Sequence, residues 1–396
     1  MIFNTWAFGV FAVAAFGLYW AVVPQRVKPL YLCAVGAVFY AYSVPAYLVL
    51  IVVLGAMTFA IGRAMLQTES RARKRAYLIG GVLASVGVLV FFKYTKFFAL
   101  TVDSLARHQI LPIPNILVPL AISFFTFEFV HVLVDIYLGK IDTLKPLDFA
   151  VFTLFFPTLV AGPIKRYQSF APQVHAIVIP DRVTIARNLY RVTLGLAKKT
   201  IVADSMNAFT GPITTPGDTF VRLDYWIAVL AYTTKIYFDF SGYSDIAIGL
   251  AGLLGLRIPE NFDMPYRSRN ISEFWRRWHM SLSSWIRDYV FIPLGGSRGG
   301  SIVTALNLFL AMAIAGLWHG AAWTFVLWGI WQGLGLIVHR IWGLAVVPRV
   351  GFLQTGGAPV RAVSTAITFS FVSVGWILFA APSLGNATSV FTHLFA

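Results

Sequence analysis

Leu30 to Ile61 contains no charged side chain, and neither does Met1 to Val23 or Ala76 to Phe92. Each run is near or above the roughly 20 residues that carry a helix across a bilayer. Hydrocarbon offers no water to backbone N–H and C=O groups, so only helices and closed barrels span it. The runs are long and unbroken, and they lack the alternation of a strand, which predicts an all-α, polytopic membrane protein. The rest of the sequence agrees. Charged residues are 12% of 396 and the mean hydropathy is +0.75, whereas a soluble domain carries about 25% charged residues. The first run has no basic leader or small-residue cleavage site, so it reads as a retained helix and not as a signal peptide.

Spans are expected near 3–22, 30–43, 46–64, 77–92, 117–138, 149–162, 188–210, 225–255, 302–320, 322–341 and 362–380, about ten or eleven crossings. No fixed-period repeat and no soluble segment interrupts them, so residues 1–396 read as a single membrane-embedded domain. The net charge of +15 comes from short basic stretches: Arg26-Val-Lys28, Arg71-Ala-Arg-Lys-Arg75, Lys140 to Lys145, Lys165-Arg166 and Lys198-Lys199. Basic loops mark the cytoplasmic side. With the Arg26 and Arg71 loops both inside, the hairpin between them crosses twice and the N-terminus lies outside. Because the charges sit between apolar spans and form no face interleaved with aromatics, nucleic-acid binding is set aside. The one cysteine, Cys33, lies in an apolar run, so neither a disulfide framework nor a cysteine metal site is expected.

Three segments depart from simple spans. Phe156-Pro-Thr-Leu-Val-Ala-Gly-Pro-Ile-Lys-Arg166 is apolar but broken by Pro157, Gly162 and Pro163, which suggests a helix followed by a re-entrant loop. Residues 93–112 mix Lys93, Lys96, Arg107 and His108 with Phe and Leu, the composition of an interfacial helix. Residues 257–300 form the longest polar stretch of the second half.

The chemistry concentrates around two histidines. From Asn270 to Ile292 a helix is predicted, with Asn270 as cap and Glu273 three residues on. Phe274, Trp275, Trp278, His279, Leu282, Trp285 and Ile286 would share its apolar face, with Arg276, Arg277 and Arg287 mainly opposite. His319 lies in the run Ile302 to Ile341, which has no charge before Arg340, and is flanked by Gly316 and Gly320. Ionisable side chains at membrane depth are rare and usually functional, and histidine is the side chain best suited to moving protons near neutral pH. A buried histidine bonded to a facing helix is the plainer alternative. Asp239 and Asp245, in Tyr237-Phe-Asp-Phe-Ser-Gly-Tyr-Ser-Asp-Ile246, read as structural support, orienting a histidine or satisfying an arginine. His131 and Asp135, one turn apart, read the same way, and His108, His175, His339 and His393 stand alone. There is no phosphate-cradling Gly-x-x-x-x-Gly-Lys loop and no His-Glu-x-x-His zinc pair.

Five motifs in order carry a resemblance: Phe155-Phe-Pro-Thr-Leu-Val-Ala-Gly-Pro-Ile164, Phe238-Asp-Phe-Ser-Gly-Tyr-Ser-Asp-Ile-Ala-Ile-Gly249, Phe274-Trp-Arg-Arg-Trp-His-Met-Ser-Leu-Ser283 with Arg287-Asp-Tyr289, Ile292-Pro-Leu-Gly-Gly-Ser-Arg298 and Gly316-Leu-Trp-His-Gly-Ala321. From about residue 30 onward the chain resembles the membrane-bound O-acyltransferase family in its bacterial alginate O-acetyltransferase branch, which is related to the teichoic acid D-alanyl transferases. The resemblance implies a ring of tilted helices, with re-entrant and interfacial helices, around a thin central site in a bacterial inner membrane. It implies His319 as the catalytic histidine and general base, and His279 as the second active-site histidine, positioning the donor or polarising its carbonyl. Trp278, Trp318 and Arg287 are candidates for the site wall. It further implies an acyl thioester donor, acetyl-CoA or an acyl carrier protein, reaching the site from the cytosol, with no tightly bound cofactor and no metal. The acceptor would be an exopolysaccharide such as alginate or cellulose, or a periplasmic relay protein. The chain is shorter than the usual alginate enzyme and is expected to lack its last helices. Two other classes remain open at this point: a glycan transporter, which should show inverted repeats and broken helices, and a non-catalytic scaffold of a polysaccharide secretion complex.

Overall fold

In the computed structural model, residues 3–113, 115–350 and 357–395 are described, and among them there is no strand. The helices are α1 (Trp6–Ala21), α2 (Lys28–Ala41), α3 (Pro45–Gln67), α4 (Arg71–Leu89), α5 (Thr95–Ala106), α6 (Ile122–Tyr137), α7 (Pro146–Leu154), α8 (Tyr167–Val174) and α9 (Arg182–Ala197). They are followed by α10 (Gly211–Thr214), α11 (Arg222–Leu253), α12 (Ile271–Arg277), α13 (Met280–Ile286), α14 (Gly300–His319), α15 (Trp323–Ala345), α16 (Ala358–Ala380) and α17 (Leu384–Phe395). Among the described residues, five helical stretches are long and apolar enough to cross a membrane: Pro45–Gln67, Arg71–Ala106, Gly300–His319, Trp323–Arg349 and Ala358–Ala380. The protein is an all-α, multi-pass membrane protein. The other predicted spans are largely helical too, but they are shorter or carry more charge.

Two compact units emerge, Met1–Leu196 with Tyr243–Pro259, and Ala197–Gly242 with Glu260–Ala396. In the first, small residues bring backbones together as they do in membranes. A Cβ added at Gly36 of α2 would stand 1.7 Å from the Leu154 carbonyl oxygen of α7. The broken motif follows α7 directly: a 3-10 turn at Phe156–Thr158 leads into non-helical backbone that is buried through Lys165. Irregular backbone of this kind is tolerated at depth only where protein covers it. Lys165 is 2% exposed and pairs with the buried Glu128 of α6, its ammonium 4.5 Å from the Phe152 ring centroid. His131 lies beside them. Its Nε2 accepts the Tyr167 N–H at 3.2 Å and its Nδ1 meets the Phe127 carbonyl at 3.3 Å. Asp135 binds Lys140 at 3.2 Å and Gln168 at 2.9 Å. Both groups tie α6 to the segment after the motif.

Two expectations need correction. Residues 93–106 do not form a separate interfacial helix: a π turn at Val90–Tyr94 joins α4 to α5, and Arg71–Ala106 runs as one 36-residue helix. The charge that suggested a boundary is satisfied inside the fold, since the Lys93 ammonium donates to Ser123 Oγ at 3.0 Å. Nor is Asn270–Ile292 one helix. Asn270 caps as expected, its Oδ1 accepting the Glu273 N–H at 2.8 Å. The chain then leaves helical geometry at Trp278, His279 takes a left-handed φ of 42°, α13 restarts at Met280, and Arg287–Phe291 is a π turn. The restart is fixed from outside the segment, where the Asn261 carbonyl accepts the Met280 N–H at 2.9 Å.

Candidate active site

The second unit carries both histidines. His319 is the last residue of α14, and the helix ends there because Gly320 is extended. The close approach of α14 and α15 sets its position. A Cβ at Gly316 would lie 2.3 Å from the Phe325 carbonyl oxygen, and one at Gly329 would lie 2.4 Å from that of Met312. The half-buried His319 ring is edge-on to Trp328 (5.1 Å between centroids) and Phe379 (5.0 Å), and lies 4.7 Å from Trp318. Trp328 stacks on Trp376 at 5.7 Å, so aromatic rings back one side of the histidine.

His279 approaches the same tryptophan, with its ring centroid 6.3 Å from that of Trp318 and 4.6 Å from Phe240. It is 1% exposed. Its Nδ1 lies 3.2 Å from Asn261 Oδ1. That oxygen also accepts from Ser281 Oγ at 2.6 Å and from the Ser281 N–H at 3.4 Å, which identifies it as the acceptor end of the amide. Nδ1 therefore carries the proton. Nε2 keeps its lone pair, is buried, and has no hydrogen-bond partner among the described residues. Burial, and then the neighbouring His319, push the His279 pKa well below its ordinary value, so the ring is neutral near pH 7. The result is a pair of imidazoles that both meet Trp318, one of them a bare, oriented acceptor.

Trp318, expected at the site wall, is in ring contact with both histidines. Trp278 belongs to the aromatic core, stacked on Phe274 (5.5 Å, 20°) and packed on Trp376. Arg287 opens the π turn, bonds Asp288 at 2.8 Å and is 63% exposed. It lines a cavity of about 420 Å³ together with Trp275, Arg276, Met280, Ala315 and Leu336. Met280 follows His279, and Ala315 is one turn before His319. The two aspartates serve cations: Asp239 binds Lys199 at 2.7 Å, and Asp245 binds Arg191 at 2.9 Å. Asn261, Phe240, Trp328 and Phe379 were missed by motif reading. Asn261 carried no distinctive signal, because it sits between Glu260 and Asp263 in the polar stretch 257–300, 18 positions before the histidine it orients.

A sequence profile of the membrane-bound O-acyltransferase family matches residues 83–374. The chain is similar to a probable alginate O-acetylase of Pseudomonas aeruginosa, 38% identical over 100% of this chain and 75% of that protein. It is similar to a peptidoglycan O-acetyltransferase of Helicobacter pylori, 33% identical over 98% of this chain and 79% of that protein. A teichoic acid D-alanyltransferase of Bacillus subtilis is 28% identical over 78% of this chain and 79% of its own length.

Proposed function

This chain belongs to the membrane-bound O-acyltransferase family, and from that premise we propose that it transfers acetyl from a thioester to a hydroxyl of an extracellular polysaccharide, or to a partner protein that relays it. The observation that carries the reading is the bare Nε2 of His279 beside Trp318 and His319. In the proposed step His319 takes the proton of the attacking hydroxyl. The oxygen adds to the thioester carbonyl carbon, the C–S bond breaks, and the proton passes from the imidazolium to the leaving thiolate. His279, with its proton on Nδ1, is an acceptor at Nε2. It suits holding a hydroxyl or amide N–H, or sharing the proton, better than donating to the carbonyl. The donor is acetyl-CoA or an acyl carrier protein, and the site is that of a bacterial inner-membrane enzyme. The names of the relatives favour acetyl and a polysaccharide, since two of them are O-acetylating enzymes of alginate and peptidoglycan.

Labelled acetyl transfer by the purified protein in lipid, wild type against His319→Ala, tests this reading. General acid–base catalysis contributes about 10²–10⁴-fold, so the variant should lose transfer by that factor while remaining folded. Undiminished transfer by a folded His319→Ala protein would remove His319 from the mechanism.

A further inference from the structure

Residues 1–102 hold nine lysines and arginines and a single acid, Glu69, so the cations there have almost no counterions of their own. Four of them, Arg71, Arg73, Lys74 and Arg75, stand in the first turns of α4, and Arg63 is exposed toward the end of α3. None of the five pairs with a carboxylate among the described residues. The placement is unfavourable. A helix N-terminus carries positive partial charge, which destabilises cations, and like charges three or four residues apart repel. Membrane orientation needs a basic excess on one side, but not four cations within five residues at this end of a helix. Beyond the cluster, α4 presents an open face. It packs on α3 and α6 and buries only Gly81, Ser85 and Leu89. Arg73, Gly80 and Gly87 follow at seven-residue spacing, which drifts by only about 20° per step round an α-helix. A Cβ at Gly80 or Gly87 would meet nothing within 4 Å, and the exposed Tyr77 and Leu83 flank the line.

We infer that this face of α4 binds an anionic phospholipid, with the headgroup phosphate on Arg73 and its neighbouring cations and an acyl chain along Gly80 and Gly87. The inference rests on the multi-pass fold and is independent of the acyl-transfer reading. Guanidinium forks pair with phosphate oxygens through charge-assisted hydrogen bonds. An anion there offsets both the repulsion within the cluster and the helix dipole. At 1.5 Å per residue, Gly80 lies about 10 Å and Gly87 about 21 Å along the axis from Arg73. That reach covers one leaflet of a hydrocarbon core roughly 30 Å thick. Lipid is also the occupant that the surroundings favour. The open face of a membrane span lies against hydrocarbon, and a second copy seated on the same strip would set two uncompensated basic clusters together.

The test titrates the full chain in neutral detergent with dioleoyl phosphatidylglycerol or dioleoyl phosphatidylcholine. Bound lipid is counted by native mass spectrometry, and the unfolding temperature is followed in parallel. Each Lys or Arg beside an anionic headgroup is worth about fivefold in affinity. The wild type should therefore prefer phosphatidylglycerol by at least about 10-fold and be stabilised by it, and the preference should shrink in high salt. Arg71→Gln/Arg73→Gln should weaken phosphatidylglycerol binding about 25-fold, the product of two such factors. Arg71→Lys/Arg73→Lys should keep most of the preference, which separates charge from misfolding. Arg182→Gln/Arg187→Gln removes the same charge from exposed positions on α9 and should leave binding as in the wild type. Gly80→Leu fills the strip without changing charge and should weaken both lipids. A wild type without lipid preference, or equal losses in the two glutamine double variants, would overturn the inference. Unchanged lipid binding by Gly80→Leu would overturn the assignment to this face. Two further results would also overturn it: dimers that Gly80→Leu dissociates would assign the face to a second copy, and binding of soluble polyglutamate in place of lipid would assign it to an acidic protein.

Discussion

His279 is held in an unfavourable backbone region, because a left-handed φ at a non-glycine residue is uncommon and persists only where surroundings over-determine it. Asn261 supplies that determination, by its carbonyl to Met280 and its amide oxygen to His279 and Ser281. Substituting Asn261 with Leu would keep the bulk and remove the acceptor, freeing the tautomer of the ring. The titration of His279 gives a sharper test. Its folded pKa lies well below the ordinary 6.5, owing to burial and then to His319. Below pH 6.5 the unfolded chain therefore binds a proton that the folded one refuses. The stability from keeping this ring neutral is fully present above about pH 6.5 and falls as the pH drops, by at most about 1.4 kcal/mol per pH unit. Thermal unfolding in detergent from pH 8 to 5 should show a steeper acid-side loss in the wild type than in His279→Asn, which cannot titrate there. Parallel curves would show that the ring does not carry this linkage.

Helices and turns account for both what the sequence disclosed and what it hid. The charge-free runs and the Asn270 cap were legible because each depends on local residues alone. The pairing of His279 with His319 as site candidates was likewise suggested by type and context. The break at Trp278–His279 was not legible, since the apolar spacing of Phe274, Trp278, Leu282 and Trp285 matches a helix and the competing bond comes from distant Asn261. The fusion of α4 and α5 was hidden for the same reason, because Lys93 is satisfied by Ser123, 30 positions away. The crossing of α14 and α15 is encoded more openly, in Gly316 and Gly329, each pressed on the opposing backbone. Alanine at Gly316 must push α15 away, and overpacking of this kind costs about 1–3 kcal/mol. Gly316→Ala should lower the unfolding temperature and reduce transfer by shifting the end of α14 that carries His319. Gly80→Ala in α4, whose Cβ meets nothing within 4 Å, should do neither. Equal behaviour of the two variants would show that the crossing does not depend on backbone contact.

The way the chain threads the bilayer follows from charge distribution and helix length together, and the two pull in different directions at α2. By the positive-inside rule, the basic stretches at Arg26–Lys28 and Arg71–Arg75 are expected to put both flanks of the α2–α3 hairpin on the cytoplasmic side, with the turn at Ser43 on the other. α3, with 23 residues, reaches about 34 Å, enough for a hydrocarbon core of roughly 30 Å. α2 has 14 residues and rises only about 21 Å, so a crossing there requires local thinning of the bilayer. A thin membrane around such helices would shorten the distance between a donor on one face and an acceptor on the other. The single native cysteine makes this testable: with Cys33→Ala as background, Pro24→Cys, Ser43→Cys and Glu69→Cys place one thiol at each exposed turn. A membrane-impermeant maleimide should label Ser43→Cys in intact spheroplasts and should reach the other two only in inside-out vesicles. Labelling of Ser43 and Glu69 from the same face would mean that α3 does not cross. Labelling of Ser43 and Pro24 from the same face would mean that α2 lies in the interface, and the positive-inside assignment would then hold for Arg71–Arg75 alone.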